Sequence, residues 1–344
     1  MKKNTIRVSC LLAIATLAFF LLTAPMAESQ TPGLPKSVGI ATHPKGSLSN
    51  MVGSAIAKVF SATLHIGATD RPYTGYIAWL PLVHRGELDL GICTPFDPYY
   101  AYRGLPPFRE KLSNLRIISS GAKLNTGWVV IEKSGIRTLS DLKGKKVCID
   151  KASLSTKENQ EGTLKGGGLD LKKDIKTIQT AGVAEPVRAV IEGRADATWA
   201  AIGMAVVKEL IAKAGPIYWV PVVKSADDPG AAQTLAAGPG ADFEFVKAGS
   251  KPDVNNDTWV WAAPMYLMSH KGLSDEAAYQ FANTLWEKQA DLIAVHPIFK
   301  GWTQKGSVSK RAVTPYHPGA IRFYKEKGVW SAEMNEIQQK LLSE

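Results

Sequence analysis

The chain of 344 residues is 45% hydrophobic, 21% charged and 8% aromatic, which excludes a disordered or fibrous protein. Its length predicts two lobes, each burying its own core. Lys and Arg outnumber Asp and Glu by 41 to 31, giving a net charge of +10 that points to an anionic partner. The lysines are dispersed, which argues against nucleic acid, and no block of five or more like charges marks an interaction tail.

Lys2, Lys3 and Arg7 precede an apolar run from Val8 to Leu22, the length of a signal-peptide core and short for a membrane span. Residues 1–29 are therefore expected to be a signal peptide, cut near Ala27 or Ser29, so that the mature protein starts near Gln30 in the periplasm. An uncleaved anchor is the alternative, disfavoured by Pro25 and Pro32 and by the lack of a stop-transfer cluster. With Cys10 removed, Cys93 and Cys148 remain, each in an apolar strand-like run, which favours two buried thiols over a bridge.

Val38–Ala41 reads as a strand running into Thr42-His43-Pro44-Lys45-Gly46-Ser47-Leu48-Ser49-Asn50. A helix follows, with Met51, Val52, Ala55, Ile56, Val59 and Phe60 at helical spacing and Ser47 or Ser49 as its cap. A second helix ends in Val83 to Asp89, with Gly86 as C-cap, and feeds the strand Leu90–Cys93. Strand-like Trp128–Ile131 opens the second lobe. There Lys146–Asp150 runs into Ser153-Leu154-Ser155-Thr156 and a polar helix, so that Ser-Leu-Ser recurs at an offset of 106 residues. Val190 to Asp196, feeding Ala197–Trp199, repeats the Gly and Asp pattern at an offset of 107. Two echoes with matching offsets predict an internal duplication.

The run Asp227–Gly240 reads as a loop, and the chain returns near Asn255–Trp261. Ser274 then caps a helix whose Ala278, Phe281 and Leu285 form an apolar stripe, and Ile321–Leu342 reads as helix broken by Gly328. These elements predict an α/β protein of two lobes, each a mostly parallel sheet flanked by helices, with a hinge between them. Lobe I comprises residues 30–125 plus 258–344, and lobe II residues 126–257. Ligands in such folds bind beyond the carboxyl ends of the strands, where helix N-termini offer free N–H groups.

No Gly-x-Ser-x-Gly, His-Glu-x-x-His, P-loop or Cys-x-x-Cys occurs, and six histidines lack metal-ligand spacing. Neither catalytic residue, metal nor cofactor is expected. Gly166-Gly167-Gly168 follows a helix and reads as its terminating turn. What remains is a set of hydroxyls and amides at two helix starts, suited to holding a carboxylate or phosphate without reacting with it. Gly46, Ser47, Ser49 and Asn50 come from one lobe; Ser153, Ser155 and Thr156 come from the other. Each of these hydroxyls can equally be a plain N-cap. His43 and Lys45 would add positive charge, unless Lys45 is merely solvated. Thr94, Phe96 and Asp97, past a strand end, form a third candidate group, and Tyr73 with Thr74 a fourth. Trp199, read as lying past a strand end, either stacks on the ligand or packs in the core.

The pattern resembles the extracytoplasmic solute receptors of tripartite ATP-independent periplasmic (TRAP) transporters, in the TAXI subfamily. The resemblance covers nearly the whole mature chain. It is carried by Gly53-Ser54-Ala55-Ile56-Ala57-Lys58, by Gly86-Glu87-Leu88-Asp89-Leu90-Gly91, by the run Ser134-Gly135-Ile136 through Val147, and by His317-Pro318-Gly319-Ala320 with Lys327-Gly328-Val329-Trp330. It implies a periplasmic binding protein of type II that closes on a hinge over a small organic anion and delivers it to a TRAP-type membrane permease; apart from the resemblance, a monomer is the default expectation. The sequence departs from the family at the expected ligand contacts, Gly46–Asn50, Ser153–Thr156, Gly75–Trp79 and Thr94–Asp97, so the resemblance leaves the ligand open. The rival classes are a periplasmic lyase or dehydratase on the same scaffold, with Asp97 and His43 as acid and base, and a sensor that hands its closed form to a signalling partner.

Overall fold

The computed structural model describes residues 33–344 apart from Ala152 and Ala226. The expected signal peptide, its cleavage site and Cys10 lie outside the described residues. Among those described, no helix is long and apolar enough to cross a membrane.

One sheet carries the fold. Strand β1 (Ser37–Thr42) leads through helix α1 (Leu48–Leu64) to β2 (Gly67–Pro72), and α2 (Tyr76–His84) leads to β3 (Leu90–Cys93). After α3 (Phe96–Arg103) comes the 17-residue strand β4 (Leu115–Ile131). The pattern then repeats: β5 (Lys146–Asp150), α4 (Leu154–Gly166), the short α5 (Leu171–Asp174), β6 (Lys176–Thr180), α6 (Glu185–Ile191) and β7 (Ala197–Ala201). Helix α7 (Ala205–Ala214), β8 (Ile217–Val220), α8 (Pro229–Ala236) and β9 (Asp242–Val246) precede the 13-residue β10 (Thr258–His270). Four helices close the chain: α9 (Asp275–Glu287), α10 (Gln289–Val295), α11 (Pro318–Glu326) and α12 (Ala332–Ser343).

The strand order is β2-β1-β3-β10-β4-β7-β5-β6. Read from either end it has the same logic: an outer parallel trio, then a long strand antiparallel to the third member. The two echoes in the sequence occupy equivalent places in the two trios. Gly39 N–H donates to Asp89 Oδ2 at 3.0 Å, and Lys146 N–H donates to Asp196 Oδ2 at 2.8 Å, each pair 50 residues apart. Gly86 and Gly193 share φ of 72°, a left-handed turn that glycine adopts without strain and that lets the carboxylate fold back onto the next strand.

Three apolar cores define two lobes. The first gathers residues between Val38 and Ala122 and between Met265 and Met334. The others, on either face of the second trio, draw on residues between Trp128 and Ala263. β4 and β10, paired antiparallel, therefore pass from one lobe's core to the other's within their own length. β4 changes over between Ala122 and Trp128, and β10 between Ala263 and Met265. Cys93 and Cys148 are both buried and unbridged.

Two expectations need correction. Asp227–Gly240 is not all loop: α8 occupies Pro229–Ala236, because Asp228 caps it by accepting from Gly230 N–H at 2.8 Å and Pro229 stands in its first turn. Proline there starts a helix rather than breaking one, since the missing N–H has no partner in any helix's first turn. Trp199 lies within β7, not beyond it.

Candidate functional site

Both echoed helix starts are built alike. Ser47 caps α1 by accepting from Asn50 N–H at 3.1 Å, and Ser153 caps α4 by accepting from Thr156 N–H at 3.3 Å. In each, the cap hydroxyl also meets the second serine's, Ser47 with Ser49 at 3.3 Å and Ser153 with Ser155 at 3.2 Å. The serines form caps because a side-chain oxygen satisfies one of the helix's orphan N–H groups. Two such starts on opposite lobes face one enclosed cavity of about 110 Å³. At roughly 10–15 Å³ for each water-sized position, that is room for a compact organic molecule.

The first lobe lines the cavity with His43, Ser47, Ser49, Tyr76 and Thr94. From the second come Asp150, Ser155, Thr156, Asn159, Gln160 and Trp199. The crossing strands contribute Leu124 and Thr126 from β4, with Trp261 and Met265 from β10. The lobes also meet directly: Leu48 at the start of α1 packs against a core of the second lobe, and the Ser155 hydroxyl of one lobe lies close enough to the Asp97 carboxyl of the other to favour its charged form.

Seven of the residues singled out in the sequence reach the wall: His43, Ser47, Ser49, Thr94, Ser155, Thr156 and Trp199. Trp199 is 7% exposed and meets Trp128 edge to face at 5.3 Å, so it serves the core and the wall together. The other eight do not line the cavity. Lys45 and Gly46 are exposed in the turn before α1. Asn50 turns its amide to Thr42 Oγ1 at 3.0 Å and Asp70 Oδ2 at 2.8 Å, bracing the loop from within. Thr74 is exposed, and Tyr73 packs on the first core. Phe96 stacks on Tyr100 at 4.6 Å. Ser153 acts as the cap, and Asp97 sits behind the wall, 1% exposed.

The charge of the site differs from the sequence expectation. Lys45 faces solvent, and burial pushes the His43 imidazole down to about 4, so it is neutral at physiological pH. Its ring lies 4.1 Å from that of Tyr76, and its Nε2 is enclosed without a partner. Among the described residues no lysine or arginine lines the cavity. Its formal charges come instead from carboxylates: Asp150 on the wall, and Asp97, which burial pushes up to about 7 against the lowering effect of the Ser155 hydrogen bond. Asp97 Oδ2 is enclosed and unpartnered. Burial also pushes the Tyr76 phenol and the Cys93 thiol up.

Several wall residues escaped the sequence reading. Asn159 and Gln160 lie one helical turn beyond Ser155 and Thr156, so the i, i+4 spacing on α4 could have found them. Tyr76 opens α2 as Leu48 opens α1. Thr126 and Trp261 gave no local signal. Among the described residues no group of three or more His, Cys, Asp or Glu is placed to hold a metal ion.

Solved structures share the architecture. PhnD1 from Prochlorococcus marinus (MIT 9301), determined with methylphosphonate, superposes with a TM-score of 0.52 at 14% identity, covering 86% of this chain and 100% of that one. A protein from Bordetella bronchiseptica RB50 gives 0.52 at 14% identity, covering 86% and 98%. The chain thus has the two-lobe periplasmic binding protein fold. Residues 40–328 match the NMT1-like family, and the chain belongs to that family.

Proposed function

We propose that this protein is a periplasmic solute receptor, not an enzyme, whose lobes close over a small carboxylate-bearing organic molecule and offer the closed form to a TRAP-type membrane permease. The observation that carries the reading is the pair of serine-capped helix starts facing one enclosed cavity from opposite lobes. A helix N-terminus attracts negative charge through its unpaired N–H groups and its dipole, and binding that engages both lobes favours their closed arrangement. That β4 and β10 each pass from one lobe's core to the other's supports a lobe boundary and hinge there. The basic N-terminal run followed by an apolar stretch supports export, and the TAXI-like stretches support the TRAP partner.

Native mass spectrometry of gently purified protein, followed by thermal-shift screening of organic acids and amino acids, tests the reading. A ligand at about 100 times its dissociation constant adds roughly 2.7 kcal/mol of stability. A stabilising solute recovered unchanged, with a smaller radius of gyration in solution scattering, is the expected result. A recovered product would replace the receptor with the lyase or dehydratase, and an unchanged radius at saturation would remove ligand-linked closure.

A further inference from the structure

The sequence suggests a site that draws in anions, but the residues around the cavity leave little room for a second negative charge. Asp150 stands on the wall, 5% exposed, and its Oδ1 accepts from Ser153 N–H at 3.1 Å. The Ser155 hydroxyl, in the first turn of the same helix, acts on Asp97 from across the lobes and favours its charged form. The start of α4 is therefore already occupied by two of the protein's own carboxylates. The serine-capped start of α1 faces the cavity without one, since Asp70 is engaged from behind by the Asn50 amide. The groups that could offset more negative charge are absent from the wall: His43 is neutral and Lys45 is in solvent.

Two acceptors beside the cavity also lack donors. Asp97 Oδ2 is enclosed and unpartnered behind the wall, and the Asp97 carboxyl is close enough to interact with Tyr76 and Ser155, two residues of that wall. Asn159 belongs to the wall, and its Oδ1 is enclosed and unpartnered as well. Aromatic rings of Tyr76, Trp199 and Trp261 complete this surround, faces that a cation can also use. Enclosing an uncompensated charge costs several kcal/mol, and like charges in one low-dielectric site oppose each other.

Resting on the receptor reading above, we infer that the solute carries an N–H-bearing group, an amine or primary amide, at the Asp97–Asn159 end of the cavity and a single carboxylate at the start of α1, so that dicarboxylates are refused. Asn159, on the wall, then meets the ligand's N–H group, and Asp97, behind the wall, acts on specificity through its charge. The helix dipole and serine hydroxyls of α1 take the carboxylate, the ligand's N–H group meets the acceptor end, and rejection of a second carboxylate comes from like-charge repulsion rather than from shape.

Isothermal titration of the intact mature protein with matched pairs tests this: succinate against 4-aminobutyrate, glutarate against 5-aminopentanoate, and glutamate against glutamine. In every pair with measurable binding, the member with one carboxylate should bind at least tenfold tighter, and Asp97→Asn should cut that preference severalfold while the protein stays folded by circular dichroism. Asn159→Leu, at a half-buried position of α4 on the wall, supplies a second variant that should weaken the same members. A dicarboxylate binding as well as its partner, or a co-purified solute with two carboxylates and no nitrogen, overturns the inference and leaves the receptor standing. If no pair member binds and no solute is carried, both readings fall.

Discussion

Asp97→Asn should make the protein more stable, and the gain should grow with pH. The Asp97 carboxyl is 1% exposed and held at about 7 by burial, against an ordinary 3.8. Below pH 4 it is protonated whether the chain is folded or not, and contributes nothing to the difference. Between pH 4 and 7 the unfolded chain ionises it while the fold keeps it neutral, so stability is lost as pH rises. Above pH 7 the fold bears a buried charge, and the full cost is about three pH units at 1.36 kcal/mol each, or roughly 4 kcal/mol. His43 and His317 act in the opposite direction, because burial depresses each to about 4 and their charging opposes folding as pH falls below 6.5. The wild-type profile is therefore a balance of opposed titrations, and only the difference between variant and wild type isolates Asp97. The depression of His43 has burial as its cause, so the substitution leaves that shift in place. Urea titrations at half-unit intervals from pH 4 to 8 should show the variant's advantage rising from near zero to as much as about 4 kcal/mol. A flat difference, or a variant less stable at pH 8, would refute the reasoning that Asp97 is a buried charge retained at the expense of stability.

The two cap serines should be interchangeable in weight: Ser47→Ala and Ser153→Ala should each cost about 1 kcal/mol, with Ser47→Asp restoring most of the loss in denaturant midpoints; a loss at one site alone would break the equivalence of the two helix starts. Gly121→Ala should cost about 1–3 kcal/mol, because a Cβ there would stand 2.1 Å from the buried indole of Trp302, which is held by its Nε1 donation to Ser119 Oγ. An unchanged denaturant midpoint would show that the indole yields freely. Cys93 and Cys148 should resist thiol reagents in the native protein, since both are buried and burial pushes the Cys148 thiol up to about 11; peptide mapping should find them labelled only after denaturation, and rapid native labelling of either would contradict their burial.

Local features were legible in the residues. Ser47 and Ser153 cap their helices through hydrogen bonds that span three residues, so the motif and the bond lie within one turn of chain. Strand β5 coincides with the apolar run Lys146–Asp150, and α9 buries the stripe of Ala278, Phe281 and Leu285 read from helical spacing. Even the pairing of Gly with Asp three residues later was visible as a repeat before its backbone hydrogen bonds were known. The Pro and Gly content of Asp227–Gly240 hides α8, because a proline in a helix's first turn favours the helix rather than breaking it.

What the sequence could not determine is the sign and composition of the cavity. Charge counted along the chain gives +10, yet the wall holds Asp150 and no lysine or arginine among the described residues. Net charge sums over a surface from which the cavity is excluded. Thr126 and Trp261 enter the wall because β4 and β10, distant in sequence, pair antiparallel where they change lobes, with Thr126 directly opposite Trp261 in the register. The protonation of His43 and Asp97 belongs to the tertiary structure as well, because a pKa follows the solvent that packing removes, and that desolvation exists only in the folded chain.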